Sequence, residues 1–275
     1  MRNRMLLVLF AAGMLGLAAP AVAQQFHPSV GQPGKDVIWV PTPEALVARM
    51  LDMAHVTPSD YVIDLGSGDG RIVIAAAKRG ATAVGVEYNP DMVALSRANA
   101  EKEGVAGKAT FVNGDIFETD FSKATVLTMY LLPDLNMRLR PKILEMKPGT
   151  RIVTQSFDME DWKPDQTENV EGRAAYLWIV PAKVAGSWTW QAGTDKGQIV
   201  LLQTFQEIEG TIRLGDQELT IRDAKLEGDR ISFLAGNGAS DTYTFAGQVN
   251  GVAITGTRKK GNGSETQWTA RRSPR

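Results

Sequence analysis

The chain has no cysteine in 275 residues. That absence excludes disulfides, thiolate nucleophiles and cysteine-ligated zinc. Histidine is nearly absent too: His27 and His55 are the only two. A His-containing triad or a His-rich metal centre has little to draw on, so no metal is expected and most hydrolase chemistry fits poorly. Neither sign of charge is in excess, since 30 basic against 31 acidic side chains leave a net charge of −1. No global positive field is available to hold nucleic acid. What is present, 43% apolar and 22% charged residues, is the mix of a globular protein. At roughly 100–200 residues per domain the length suits one large or two modest domains.

Residues 1–23 read as an address rather than as fold. Arg2 and Arg4 form a positive start, Met5 to Ala19 an apolar run, and Ala21-Val22-Ala23 a small-x-small cleavage site. The run is shorter than the ~20 residues a membrane-spanning helix needs. A signal peptide cleaved before Gln24, in a bacterium exporting the chain to its periplasm, is the expectation.

Two compositional zones follow. Gln24 to Gly34 is a polar lead without periodicity. Residues 43–54 then read as an amphipathic helix, with Leu46, Val47, Met50, Leu51 and Ala54 on one face and Pro43 near its first turn. Strands are expected at Tyr61–Leu65, Ala83–Glu87, Ala109–Val112, Ala124–Tyr130 and Thr150–Ser156. Helices are expected at about Arg71–Arg79, Pro90–Glu103 and from Pro133 or Asp134 to Met146. This β-α-β alternation argues for an α/β domain over residues 24–181, a Rossmann-like, mostly parallel sheet with helices on both faces. From about Val184 the helical period disappears. Strands at Gln198–Thr204, Glu209–Leu214, Glu218–Ala224, Arg230–Leu234, Thr242–Val249 and Val252–Thr257, spaced by turns such as Asn250-Gly251, suggest a small antiparallel all-β sandwich or barrel over 184–272.

The most informative stretch is Asp64-Leu65-Gly66-Ser67-Gly68-Asp69-Gly70-Arg71, between the first strand and the next helix. Gly66, Gly68 and Gly70 let the backbone turn sharply and approach a ligand. Ligands of open parallel sheets bind beyond the carboxyl ends of the strands, so the position is right. The spacing is G-x-G-x-G rather than the G-x-G-x-x-G of dinucleotide binders. Charge separates the two readings. A pyrophosphate wants the helix N-terminus to itself, whereas Asp64 and Asp69 put carboxylates there, which repel phosphate and attract a cation. S-adenosylmethionine carries a sulfonium and an ammonium and no phosphate. Glu87, ending the second strand, can accept from both ribose hydroxyls, and Asp115, just past the third, from the adenine amino group. Strand-end acids also cap helices, and for Asp69 the two uses weigh equally.

On these residues the segment resembles class I S-adenosylmethionine-dependent methyltransferases. The finer pattern is similar to the protein-lysine methyltransferase family acting on the adenine nucleotide translocator and the ATP synthase c-subunit. Val40-Pro41-Thr42-Pro43, Asp64 to Arg71, Gly85-Val86-Glu87-Tyr88-Asn89, Tyr130-Leu131-Leu132-Pro133 and Lys147-Pro148-Gly149-Thr150-Arg151 carry the likeness, over about residues 38–163. The resemblance implies a seven-stranded sheet and lysine methylation. An export signal and an added β-domain are departures from that family.

Methyl transfer asks mainly for orientation and water exclusion. A lysine acceptor must lose its proton, which desolvation favours. Tyr130, ending the fourth strand, offers an aromatic face to an amine and a hydroxyl acceptor; Asp134 and Asn136 could reach the same mouth, with helix capping the plainer use of Asp134. Thr42 and Pro43 either close over the methionine end of the cofactor or simply start the helix. His55 reads as a helix C-cap. Trp39, Trp162 and Trp178 line a pocket or fill a core or interface. Arg258-Lys259-Lys260 and Arg271-Arg272 make a basic patch on the β-domain. Its plain use is a solvated edge that discourages strand pairing, and its sharper one contact with a membrane surface or an anionic polymer. The reading is an exported methyltransferase acting on a protein or small-molecule acceptor. Its rivals are an exported, non-catalytic module binding an adenosyl compound or other small ligand, which the cytoplasmic origin of the cofactor keeps open, and a nicotinamide oxidoreductase.

Overall fold

The computed structural model describes residues 26–236, 238 and 241–274; the signal expected at 1–23 lies outside them. The described chain folds into two sheets, one after the other.

In the first, strands β1 (Tyr61–Leu65), β2 (Thr82–Glu87), β3 (Ala109–Asn113), β4 (Val126–Met129) and β5 (Arg151–Gln155) run parallel. The near-continuous burial of β1, β4 and β5 follows from cover on both faces. Alternate residues serve opposite cores. Val62, Val126 and Val153 pack with helices α1 (Glu44–Met53), α2 (Arg71–Lys78) and α3 (Pro90–Lys102). Ile63, Leu127 and Ile152 pack with α4 (Pro133–Ile143). The Asn89 side chain caps α3 by accepting from the Asp91 N–H at 2.9 Å, ahead of Pro90 at the first helical position. His55 adopts φ 46° just past α1, as a C-terminal cap does.

Periodicity gives no sign of β6 (Gln166–Val170) and β7 (Arg173–Ile179), an antiparallel hairpin that completes the order β3-β2-β1-β4-β5-β7-β6. This is the seven-stranded sheet the family resemblance implies. As an edge strand, β6 buries little and carries no apolar signature.

The second sheet has nine antiparallel strands where six were expected: β8 (Gly186–Ala192), β9 (Asp195–Thr204), β10 (Glu207–Leu214), β11 (Gln217–Thr220), β12 (Arg222–Glu227), β13 (Arg230–Ala235), β14 (Tyr243–Asn250), β15 (Ala253–Lys260) and β16 (Glu265–Arg272). The single strand expected at Glu218–Ala224 is broken at Ile221, and just beyond it a register shift between Arg222 and Lys225, with a φ of 49° at Asp223, bends the chain. The order is β11-β10-β9-β8-β16-β15-β14-β13-β12, so the two outer strands are consecutive in the chain. Because β12 also packs against β10, the sheet rolls into a barrel. Trp188, Trp190, Phe233, Phe245 and Trp268 fill its interior, with the Phe233 and Phe245 rings stacked at 4.9 Å.

The barrel corrects the expected basic patch. Strand period places alternate residues inside. Arg258 is 8% exposed and pairs with Asp195 at 2.9 Å beneath the Trp190 and Tyr243 rings. Lys260 pairs with Asp241, and Arg272 packs over Trp188. Lys259 and Arg271 alternate with these and face outward.

Candidate active site

The glycine turn follows β1 directly. Gly66, Gly68 and Gly70 hold φ of 78°, 55° and 84°, a left-handed run that side chains would resist. A Cβ on Gly68 would meet Trp39 Nε1 at 2.7 Å, and one on Gly70 the Phe111 ring at 2.7 Å. Four N–H groups of this turn are already spent. Gly66 and Ser67 donate to the Val86 carbonyl at 2.8 and 3.0 Å, and Gly70 to that of Ser67 at 2.9 Å. Gly68 donates to Glu87 Oε2 at 2.9 Å. A pyrophosphate would need those donors free, so the arrangement disfavours a dinucleotide more directly than the count of nearby carboxylates does.

In one respect the charge at the turn differs from the expectation. Asp69 is not a free carboxylate: Arg71 grips it with Nε at 3.0 Å and Nη2 at 2.6 Å, while Arg71 Nη1 donates to the Thr42 carbonyl at 2.7 Å. Arg71 therefore ties α2 to the segment ahead of α1, with Asp69 holding its guanidinium. Asp64 keeps the expected character. It is 2% exposed and accepts from Thr128 Oγ1 at 2.7 Å. Burial, with Glu87 and Asp69 nearby and Thr128 opposing, pushes its carboxyl up to about 7.

Residues of the polar lead do not trail away as the sequence suggests. Gly31 to Trp39 fold into a small hairpin, in which the Gly31 N–H donates to the Trp39 carbonyl, the Trp39 N–H to the Gln32 carbonyl, and the Gly34 N–H closes the turn on the Val37 carbonyl. This strap lies over the glycine turn. Lys35 pairs with Asp115 and sits 4.9 Å from the Tyr88 ring centre. The Lys35 ammonium, with the Phe117 N–H, holds Asp115 below the usual carboxylate range. With one oxygen on Lys35 and the other on Phe117, Asp115 anchors the strap rather than standing free for an adenine.

Strap and sheet enclose a cleft of about 700 Å³. Asp64, Gly66, Gly68, Asp69, Glu87 and Asp115 line it, together with Thr42 from the strap's end. Gly70 turns its back on the cleft and caps α2. Tyr130 lines the cleft too, stacked on Phe157 with ring centres 6.4 Å apart. Asp134 is exposed in the first turn of α4 and does not line the cleft. Asn136, fully buried, donates to the carbonyls of Phe157 and Asp158, both at 3.3 Å. Trp39 lines the cleft, one of the two uses its sequence position offers, and so do Lys35, Tyr88 and Phe157, which the sequence does not single out as site residues. An aromatic just beyond a strand end, the position of Tyr88 and Phe157, is the available signal. Trp162 and Trp178 are buried packing residues. No group of metal-ligating side chains occurs among the described residues.

A family described as the ANTKMT methyltransferase domain matches residues 64–166. A protein-lysine N-methyltransferase of Saccharolobus islandicus is 47% identical over 151 residues, 52% of this chain and 94% of that one. The chain belongs to this family of S-adenosylmethionine-dependent lysine methyltransferases. The human lysine N-methyltransferase of the ATP synthase c-subunit is 36% identical over 138 residues, covering 50% of this chain and 54% of its own. The crystal structure of an RNA methyltransferase from Salinibacter ruber with S-adenosyl-L-homocysteine superposes with a TM-score of 0.52 at 50% identity, covering 53% and 96% of the two chains. The family match ends before the barrel begins. The chain is a methyltransferase and S-adenosylmethionine its cofactor. The donor set fits that compound: a buried acid and a strand-end acid, spent turn amides, and apolar Tyr88, Met92 and Ile116 on the walls.

Proposed function

We propose that this methyltransferase modifies the side-chain amine of a protein lysine, and that it does so after export to the periplasm. The observation that carries the acceptor is the Tyr130–Phe157 stack in the wall of the cleft. Two aromatic faces beside apolar Leu131 and Leu135 remove water from an approaching amine. Burial favours its neutral form, the one with a lone pair, and the ring faces receive its hydrogens. The name of the Saccharolobus relative supports the same acceptor.

Bound S-adenosylmethionine supplies a methyl carbon already activated by sulfur. The chain's own residues then hold and align. Asp64 would hold the cationic end of the bound compound, and Glu87 would offer its remaining lone pairs to ribose hydroxyls. Thr42 and the strap close the cleft from above, with Asp115 and Lys35 as the fastening. Tyr130 and Phe157 orient the incoming nitrogen, and such alignment accounts for about 7–11 kcal/mol of a barrier when complete. Asp134, outside the cleft, takes no proton role.

The test is transfer of labelled methyl from purified protein into periplasmic and membrane extract, with the labelled residue identified by mass spectrometry. Label on a lysine nitrogen is expected. Label in RNA, the substrate that the name of the Salinibacter protein suggests, would overturn the reading. Export is tested separately by sequencing the N-terminus of the fractionated protein, which should begin at Gln24.

A further inference from the structure

We infer that the β9–β10 turn of the barrel, Phe205-Gln206, is a positioning element of the methyltransferase site. It holds the loop 156–162, and with it Phe157, in place against Tyr130. The role in catalysis rests on the acceptor placement proposed above; the bracing itself does not.

The loop leaves β5 in a shape it would not keep alone. Ser156 and Glu160 have φ of 65° and 55°, a conformation that residues with a Cβ hold only where the surroundings impose it. On the site side the restraints are short and polar. Thr154 Oγ1 donates to the Phe157 carbonyl at 2.5 Å, and Asn136 adds its bonds to Phe157 and Asp158. Arg140 Nη1 donates to the Met159 carbonyl at 2.9 Å and pairs with Asp161.

On the other side the restraints come from the barrel. Trp162 is fully buried, stacked on Phe205 at 5.7 Å with an 18° tilt. Its Nε1 donates to Gln206 Oε1 at 2.9 Å, and Gln206 Nε2 donates to the Lys163 carbonyl at 2.8 Å. The Arg140 guanidinium lies 5.4 Å over the Phe205 ring, so one side chain grips both the loop and the turn. The turn is itself rigid: Gln203 Nε2 donates to the carbonyls of Phe205 and Ala182 at 2.7 and 2.9 Å. A passive tether needs no such convergence on one loop. None of these contacts touches the glycine turn, so the brace acts on the acceptor end and leaves the cofactor end alone.

The experiment uses the full chain with Phe205→Ala plus Gln206→Ala, Gln206→Ala alone, and Phe205→Tyr. Amide hydrogen exchange of residues 157–162 is expected to rise about tenfold or more in the double variant, with residues 64–71 unchanged. Affinity for S-adenosylhomocysteine should stay within about twofold, while KM for a lysine acceptor, poly-L-lysine, should rise about tenfold. Phe205→Tyr should restore both. Unchanged exchange of 157–162 in Gln206→Ala and in a folded double variant, or protection and cofactor affinity lost together across the molecule in Gln206→Ala, would overturn the inference. Gln206→Ala keeps the Phe205 ring and the barrel core, so it reads the brace even if the double variant unfolds. Exchange reports the brace whether or not lysine is the acceptor. If wild-type protein leaves poly-L-lysine unmethylated while the loop loosens as expected, the lysine reading fails and the brace stands.

Discussion

Glu87 grips the glycine turn with one oxygen and the start of the next helix with the other: Oε2 accepts from the Gly68 N–H and Oε1 from the Asn89 N–H, both at 2.9 Å. The cleft is thereby shaped before any ribose hydroxyl reaches it.

Replacing this acid separates its two duties. Glu87→Gln keeps one amide-oxygen bond and the side-chain volume, so folding should persist while cofactor affinity drops about tenfold through loss of a charged acceptor. Glu87→Ala loses both grips and should cost about a hundredfold, together with a lower Tm. Calorimetric titration with S-adenosylmethionine and thermal melts measure the pair. Full affinity in Glu87→Gln would remove ribose recognition from this residue.

Asp64 gives the protein a pH signature. Its carboxyl is pushed from an ordinary 3.8 up to about 7. Between about pH 4 and 7 the native state holds a proton that the unfolded chain has released, so stability falls as pH rises across that window. Binding a cation favours the carboxylate and acts in the opposite sense. Affinity for S-adenosylmethionine should therefore climb as pH rises through about 7, with proton release at about pH 6 visible as a buffer-dependent heat. Asp64→Asn should flatten the profile and weaken binding. A flat profile in the wild-type chain would contradict the assignment.

Gly68 and Trp39 should be coupled. Gly68→Ala incurs backbone strain on the order of 1–3 kcal/mol whatever lies nearby. It also drives a methyl group into the Trp39 indole at 2.7 Å. Trp39→Ala alone should cost cofactor affinity by opening the strap. Combined, the two should cost less than their sum, since the collision disappears with the ring. A double-mutant cycle on S-adenosylhomocysteine binding reads this coupling, and strict additivity would show that the strap does not lie on the turn in solution.

How much of this is legible in sequence depends on range. The β1–turn–α2 unit announces itself because a buried apolar run, three alternating glycines and a helical period are local signals. The strap does not, because Lys35 and Asp115 lie 80 residues apart and nothing in a polar Pro-Gly stretch marks its destination. Asp69 misleads although its partner stands two places away, because counting carboxylates near a phosphate position ignores that Arg71 neutralises one of them. Arg258 shows the converse: a run of three basic residues looks like open surface until the pleat turns Arg258 inward and Lys260 meets Asp241. The local mark of Phe157 goes no further than its position just past β5, since its place is decided by Thr154, Asn136 and a barrel whose first strand begins well beyond it.

The bend at Ile221 matters beyond the barrel's own geometry. It makes the outermost strands one continuous stretch of chain, and each keeps a row of peptide donors and acceptors outside any ladder, β11 being laddered only to β10 and β12 only to β13. Such rows are templates onto which other polypeptides extend. The exposed charges on these two strands, Glu218, Arg222, Asp223, Lys225 and Glu227, discourage such pairing.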